Sequence, residues 1–157
     1  MADDCKFDIV LIRELAMTNL KTIVLPAKGV RVPVPQILEI CEQLGLLDLK
    51  QRIANDPPEG KPFQSDGCSW FPDRLATVDL YPACFKHDLA YWSGYPRPTS
   101  QGLALEEDRW RFIADATLMI DVVQLGLAIA IAELMFKGVR TGGTRRWRLP
   151  FSWGYGR

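Results

Sequence analysis

A mainly α fold is predicted for this chain on three observations. Apolar residues recur at helical spacing, with almost no two-residue alternation. Clusters of proline and glycine separate those segments. Hydrophobic residues make up 48% of the 157 positions, which is enough for a core that folds without staples.

Residues 6 to 24 read as a first helix with Ile9, Leu11, Ile12, Leu15 and Ala16 as apolar positions, after which Pro26, Gly29, Pro33 and Pro35 enforce an extended or turning segment. Pro35 suits the first turn of a second helix, whose apolar face is Ile37, Leu38, Ile40, Cys41 and Leu44; Gly45 ends or bends it. A short third helix runs from Asp48 to Ala54. The segment Asp56-Pro57-Pro58-Glu59-Gly60-Lys61-Pro62 cannot sustain a helix or a central strand, because proline removes a donor and glycine loosens the backbone. It marks a boundary between an N-terminal helical region, 1–55, and a second unit, 63–157, although the two can form one compact body.

Beyond the boundary comes a loop rich in Asp, Gly, Ser and Pro, then a helix from Pro82 to Trp92 and a turn through Gly94, Pro96, Pro98 and Gly102. A long helix is expected from Ala104 to Lys137. Its apolar stretch, Ala114 to Phe136, is interrupted by Asp115, Asp121, Gln124 and Glu133, and the longest uncharged run in it, Val122 to Ala132, falls well short of the roughly 20 residues of a membrane span, so it reads as a core helix. Glycines and aromatics alternate from Val139 to Arg157, which suggests an irregular tail wrapped on the core.

Nineteen basic and nineteen acidic residues balance, so whole-chain electrostatic capture of nucleic acid is not expected. The balance is uneven, however: six basic residues and no acid lie between Lys137 and Arg157. Arg145, Arg146 and Arg148 beside Trp147, Phe151 and Trp153 suit an anionic membrane surface. The competing reading has the aromatics packed on the long helix and the arginines solvated. The N-terminus, MADDCKFDIVLIREL, lacks the charged start, apolar middle and cleavage site of a secretory signal, so the expected location is the cytoplasm as made.

The chemistry-bearing stretch is Asp66 to Tyr91, DGCSWFPDRLATVDLYPACFKHDLAY, which holds the chain's one histidine, His87, followed at once by Asp88. On a helix over 82–92, Cys84, His87, Asp88 and Tyr91 share one face. A histidine serving as general base needs its second ring nitrogen held by a carboxylate or carbonyl. Asp108 and Glu107, near the start of the long helix, are both candidates.

The order DGCS, PD, ACFKHDLAY resembles the metal loop and catalytic helix of the phospholipase A2 superfamily, in its short bacterial and fungal branch. That branch carries an Asp 21 residues before its catalytic His and another 21 after it, the offsets of Asp66 and Asp108 from His87. The resemblance spans Asp66 to Asp108. Leu89-Ala90 stands where the branch has Phe-Gly, and the first 60 residues and the tail have no counterpart in it.

The resemblance implies a pair of antiparallel helices presenting His87 and Asp108 across a cleft, and calcium-dependent hydrolysis of a phospholipid ester at a membrane surface. His87 would deprotonate water and Asp108 would orient the imidazole. Ca²⁺ would be held by Asp66, Asp88 and the backbone carbonyl of Gly67; oxygen ligands suit such a hard cation. It also implies a disulfide between Cys68 and Cys84, against the alternative of two buried thiols. Calcium sites tuned to extracellular levels sit mostly empty in a cytosol. Further expectations therefore stand beside each other: export by a specialised route, as for a delivered toxin or phage product; a site tighter than usual; or a chain that keeps the module for a different ester or as a non-enzymatic binding or assembly protein.

Overall fold

A computed structural model describes residue 20 and residues 22–94 and 103–157. The expected first helix falls almost wholly outside these, and its last expected residues, 22–24, are not helical. Helix α1, Val34–Gln43, begins with a proline in its first turn and buries Ile37, Ile40 and Cys41, a three-and-four spacing that lays one stripe on the core. Helix α2, Leu47–Asn55, follows closely and anchors through Ile53.

The loop after the Pro-rich boundary contains a feature with no sequence signal. Strands β1, Arg74–Leu75, and β2, Val78–Asp79, pair antiparallel with Arg74 opposite Asp79 and Leu75 opposite Val78. Two residues per strand are too few for alternation to show. The hairpin leads straight into helix α3, Tyr81–Ser93, which carries a proline in its first turn.

Helix α3 is buried nearly all round. It therefore carries three successive ionisable residues, Lys86, His87 and Asp88, into the interior. Successive helical residues point about 100° apart, so each needs its own partner, and each has one. Lys86 Nζ lies 2.9 Å from Asp121 Oδ2, His87 Nε2 lies 2.8 Å from Asp115 Oδ1, and Asp88 Oδ2 accepts from Ser65 Oγ at 2.6 Å.

The expected long helix is two. Helix α4 spans Leu103–Gln124 and helix α5 spans Ile129–Gly142. Between them Gly126 adopts φ +111°, open to glycine but strained for other residues, and the chain turns back there. Apolar periodicity continues through the turn because both helices pack on the same core, so periodicity alone does not reveal the break. Contacts between α3 and α4 run in opposite chain order: Lys86 meets Asp121, whereas Tyr91, one turn further on, meets Asp115. Contacts between α4 and α5 do likewise, with Arg140 on Asp108 and Phe136 on Phe112.

One hydrophobic cluster joins α1, α2, α3, α4 and α5. Within it Phe63 is fully buried, edge-on to Phe85 at 5.2 Å and to Trp92 at 5.6 Å. The tail closes on the Pro-rich boundary. Gly60 N–H donates to the Gly156 carbonyl at 2.8 Å, and Arg157 binds Asp56 at 2.8 Å. Of its aromatics, Trp153 is 4% exposed and packs edge-on to Tyr91, while Trp147 is 58% exposed.

The Lys86–Asp121 pair yields a stability prediction. Burial pushes the Asp121 carboxyl up to about 6 from an ordinary 3.8, although Lys86 and His87 hold it down. The unfolded state therefore loses this proton first as pH rises, so Asp121 costs stability from about pH 4 upward, in full above pH 6. Lys86→Met removes the cation and pushes that carboxyl higher still. The variant should lose about 3 kcal/mol at pH 8. The loss should be smaller near pH 5, where the folded carboxyl holds its proton, as read by urea unfolding at the two pH values. An equal loss at both would contradict the assignment.

Candidate active site

Helix α3 supplies the imidazole, α4 the carboxylate that holds it, and the 65–73 loop a second group of acids. His87 is 9% exposed, and its ring lies 4.2 Å from that of Tyr91. Asp115 is fully buried. Its Oδ1 takes both His87 Nε2, at 2.8 Å, and Tyr91 Oη, at 2.7 Å. Its Oδ2 takes Arg140 Nη1 at 3.1 Å, with Arg111 Nη1 at 3.8 Å. Because this oxygen pair receives an arginine and a phenol, it acts as acceptor toward the ring as well. Nε2 therefore carries the hydrogen, and Nδ1 is the nitrogen free to take a proton.

This arrangement corrects one sequence expectation. Asp108 does not meet His87. Its side chain is 58% exposed and binds Arg140 at 2.8 Å and Arg111 at 3.0 Å, which hold its carboxyl below the usual range, Arg140 first. Glu107, the other candidate, pairs with Arg145 at 3.0 Å. Asp108 and Asp115 are seven residues apart on α4 and so share a face, but Asp108 stands two turns nearer the helix start, above the level of the imidazole. The offset of 21 picks the outer of two aligned acids.

On the loop side, Asp66, Gly67 and Asp88 line the same cleft as His87 and come together as expected. Cys68 and Cys84 are joined by a disulfide, which ties the loop to α3. Gly67 has φ +74°, and a Cβ there would collide with the Asp73 carboxylate. Asp73 in turn accepts the Cys68 N–H at 2.7 Å and pairs with Lys28 at 2.9 Å. It shapes the loop from behind.

The two loop-side acids oppose one another. Burial pushes the Asp88 carboxyl well above its ordinary range, and repulsion from Asp66 and Asp73 adds to this against the Ser65 hydrogen bond. The Asp66 carboxyl is also raised, by burial first, and its Oδ1 is buried without a hydrogen-bond partner. Burial raises the Tyr155 phenol, with Asp88 and Asp66 adding to it. A hard cation would relieve each of these strains, and the donors are oxygens, so the residues present fit calcium. Among the described residues no three His, Cys, Asp or Glu side chains converge as a metal site by themselves, so backbone oxygens would complete the set.

The cleft has a volume of about 810 Å³. Its walls beyond the polar end are apolar, built from Leu118, Leu134, Met135, Val139 and Phe151. Trp70, 92% exposed, stands on the loop side, with Leu134 and Leu149 exposed opposite. On the other side of the imidazole, toward Lys86 and Asp121, is a cavity of only about 70 Å³. It has room for little more than water.

Sequence reasoning missed Asp115, Ser65 and Arg140. A signal existed for Asp115, since an acid inside an apolar helical stretch is almost never buried without a partner. Ser65 and Arg140 carry no such mark. Comparison with protein-family models, curated proteins and solved structures finds no match to this chain. No described helix is long and apolar enough to cross a membrane.

Proposed function

We propose that the cleft hydrolyses a phospholipid ester with calcium as cofactor, on a phospholipase A2-like pairing of α3 and α4. One observation carries the reading. The chain's one imidazole is buried, has one ring nitrogen committed to a fully buried carboxylate, and lines a largely apolar cleft together with Asp66 and Asp88.

His87 takes a proton from water as the water oxygen attacks the ester carbonyl, and then gives it to the departing alkoxide. Asp115 keeps the tautomer fixed and stabilises the imidazolium in between. Tyr91 donates to the same carboxylate oxygen as the imidazole. Asp66, Asp88 and the Gly67 carbonyl would hold calcium, which when bound supplies positive charge for the substrate phosphate and for the oxygen that becomes negative during attack. The apolar walls would take an acyl chain.

Trp70, Leu134 and Leu149 at the cleft mouth, with Trp147 and Arg146 nearby in the tail, favour a lipid surface as partner. The disulfide and the calcium requirement both favour action in an oxidising, calcium-replete compartment.

The test is fatty-acid release from phospholipid micelles. Release should require calcium and stop on chelation; no release in saturating calcium would reject the reading in favour of a binding module. Calcium at a hundredfold excess over its dissociation constant should also stabilise the fold by about 2.7 kcal/mol. That gain should vanish in Asp88→Asn.

A further inference from the structure

We infer that Arg140 is a positioning residue for the His87–Asp115 couple, acting from α5 through the carboxylate oxygen that the imidazole does not use. The inference rests on the hydrolytic reading of the cleft, but it concerns a residue outside the phospholipase A2-like segment.

Asp115 is fully buried, and a carboxylate in that setting is stable only when paired and hydrogen-bonded. His87 and Tyr91 both use Oδ1. Donors to one oxygen leave the carboxyl plane free to pivot about its bond to the chain. Arg140 Nη1 on Oδ2 at 3.1 Å removes that freedom.

The guanidinium is itself held twice. Its Nη2 donates to Asp108 Oδ1 at 2.8 Å, and the Phe112 ring lies beneath it at 5.7 Å. Arg111 Nη1, donating to the Arg140 backbone carbonyl at 3.0 Å, fixes the start of that side chain. Asp108, expected to act on the imidazole directly, thus reaches it at two removes, through Arg140 and Asp115. A lysine could supply the charge at this position but not the planar fork that spans two carboxylates.

The other charged and titratable groups around the imidazole are Tyr91, Lys86 and Asp88 on its own helix, Asp121, Arg111 and Asp108 on α4, and Asp66 on the loop. Of these only Arg111 approaches the second oxygen of Asp115, and at 3.8 Å it is too far for a hydrogen bond.

The experiment compares wild type with Arg140→Gln and Arg140→Lys by two readouts. On phospholipid micelles in calcium, Arg140→Gln should lower kcat by about 10²-fold, the scale of a slight misplacement of a catalytic group, with KM little changed. Arg140→Lys should recover part of the loss. The second readout needs no turnover. His87 is the one histidine, so its Nε2–H proton gives a single, unambiguous resonance, far downfield and slow to exchange while Asp115 holds it. At fixed pH, Arg140→Gln should broaden or abolish that signal, and Arg140→Lys should weaken it.

If Arg140→Gln does not fold, Arg140→Lys, which keeps the charge, carries both readouts. An unchanged signal and unchanged kcat in a folded variant overturn the inference. If wild type hydrolyses nothing, the resonance still decides: its loss supports Arg140 as the positioning residue and leaves only the esterase reading refuted, while its persistence refutes Arg140.

Discussion

Replacing Asp115 with Asn should lower phospholipid ester hydrolysis by about 10⁴-fold, whereas Asp108→Asn should change it by less than about tenfold. The two acids share a face of α4, yet only one is buried against the imidazole. An amide at position 115 can offer an N–H where Nε2 needs an acceptor. The ring then settles in the opposite tautomer, with Nδ1 protonated and unable to take a proton from water. Asp108 is exposed and reaches the site only through Arg140. Initial rates of fatty-acid release, with unfolding curves to show both variants intact, would check this. Equal losses in the two variants would mean that the carboxylate at 115 has no special part.

The second large effect is on the loop. Reducing the Cys68–Cys84 bond, or replacing both cysteines with Ser, should cost about 3 kcal/mol, the chain-entropy value for a loop of this length. The unfolding midpoint should fall by about 10 °C for a chain of this size. Activity should fall further than stability alone requires, because the bond fixes the loop bearing Asp66 and Gly67 to the helix bearing His87 and Asp88. Calcium affinity measured on the folded fraction should weaken in parallel. A reduced protein with unchanged midpoint and unchanged affinity would remove the disulfide from the account.

Much of this architecture was legible in the sequence where physics acts locally. Proline in the first turn and apolar residues three and four apart set α1, and a similar proline set the start of α3. The grouping of Asp66, Gly67, Asp88 and His87 in one cleft, and the Cys68–Cys84 bond, were implied by the family resemblance and not by the residues alone. The misses share a different cause. Whether Asp108 or Asp115 meets the imidazole depends on how far α4 slides along α3, a tertiary matter that leaves no trace in a seven-residue spacing. The division of α4 from α5 turned on Gly126, where apolar periodicity runs on through the turn. Arg140 lies on a third helix, so its hold on Asp115 could be seen only once α5 had folded back.

The most direct test of the central claim is release of labelled fatty acid from the sn-2 position of phospholipid vesicles in saturating calcium, by wild type and by His87→Asn. The account predicts release by wild type and none above background by the folded variant, because asparagine cannot take a proton from water. Equal release by the two proteins would contradict it.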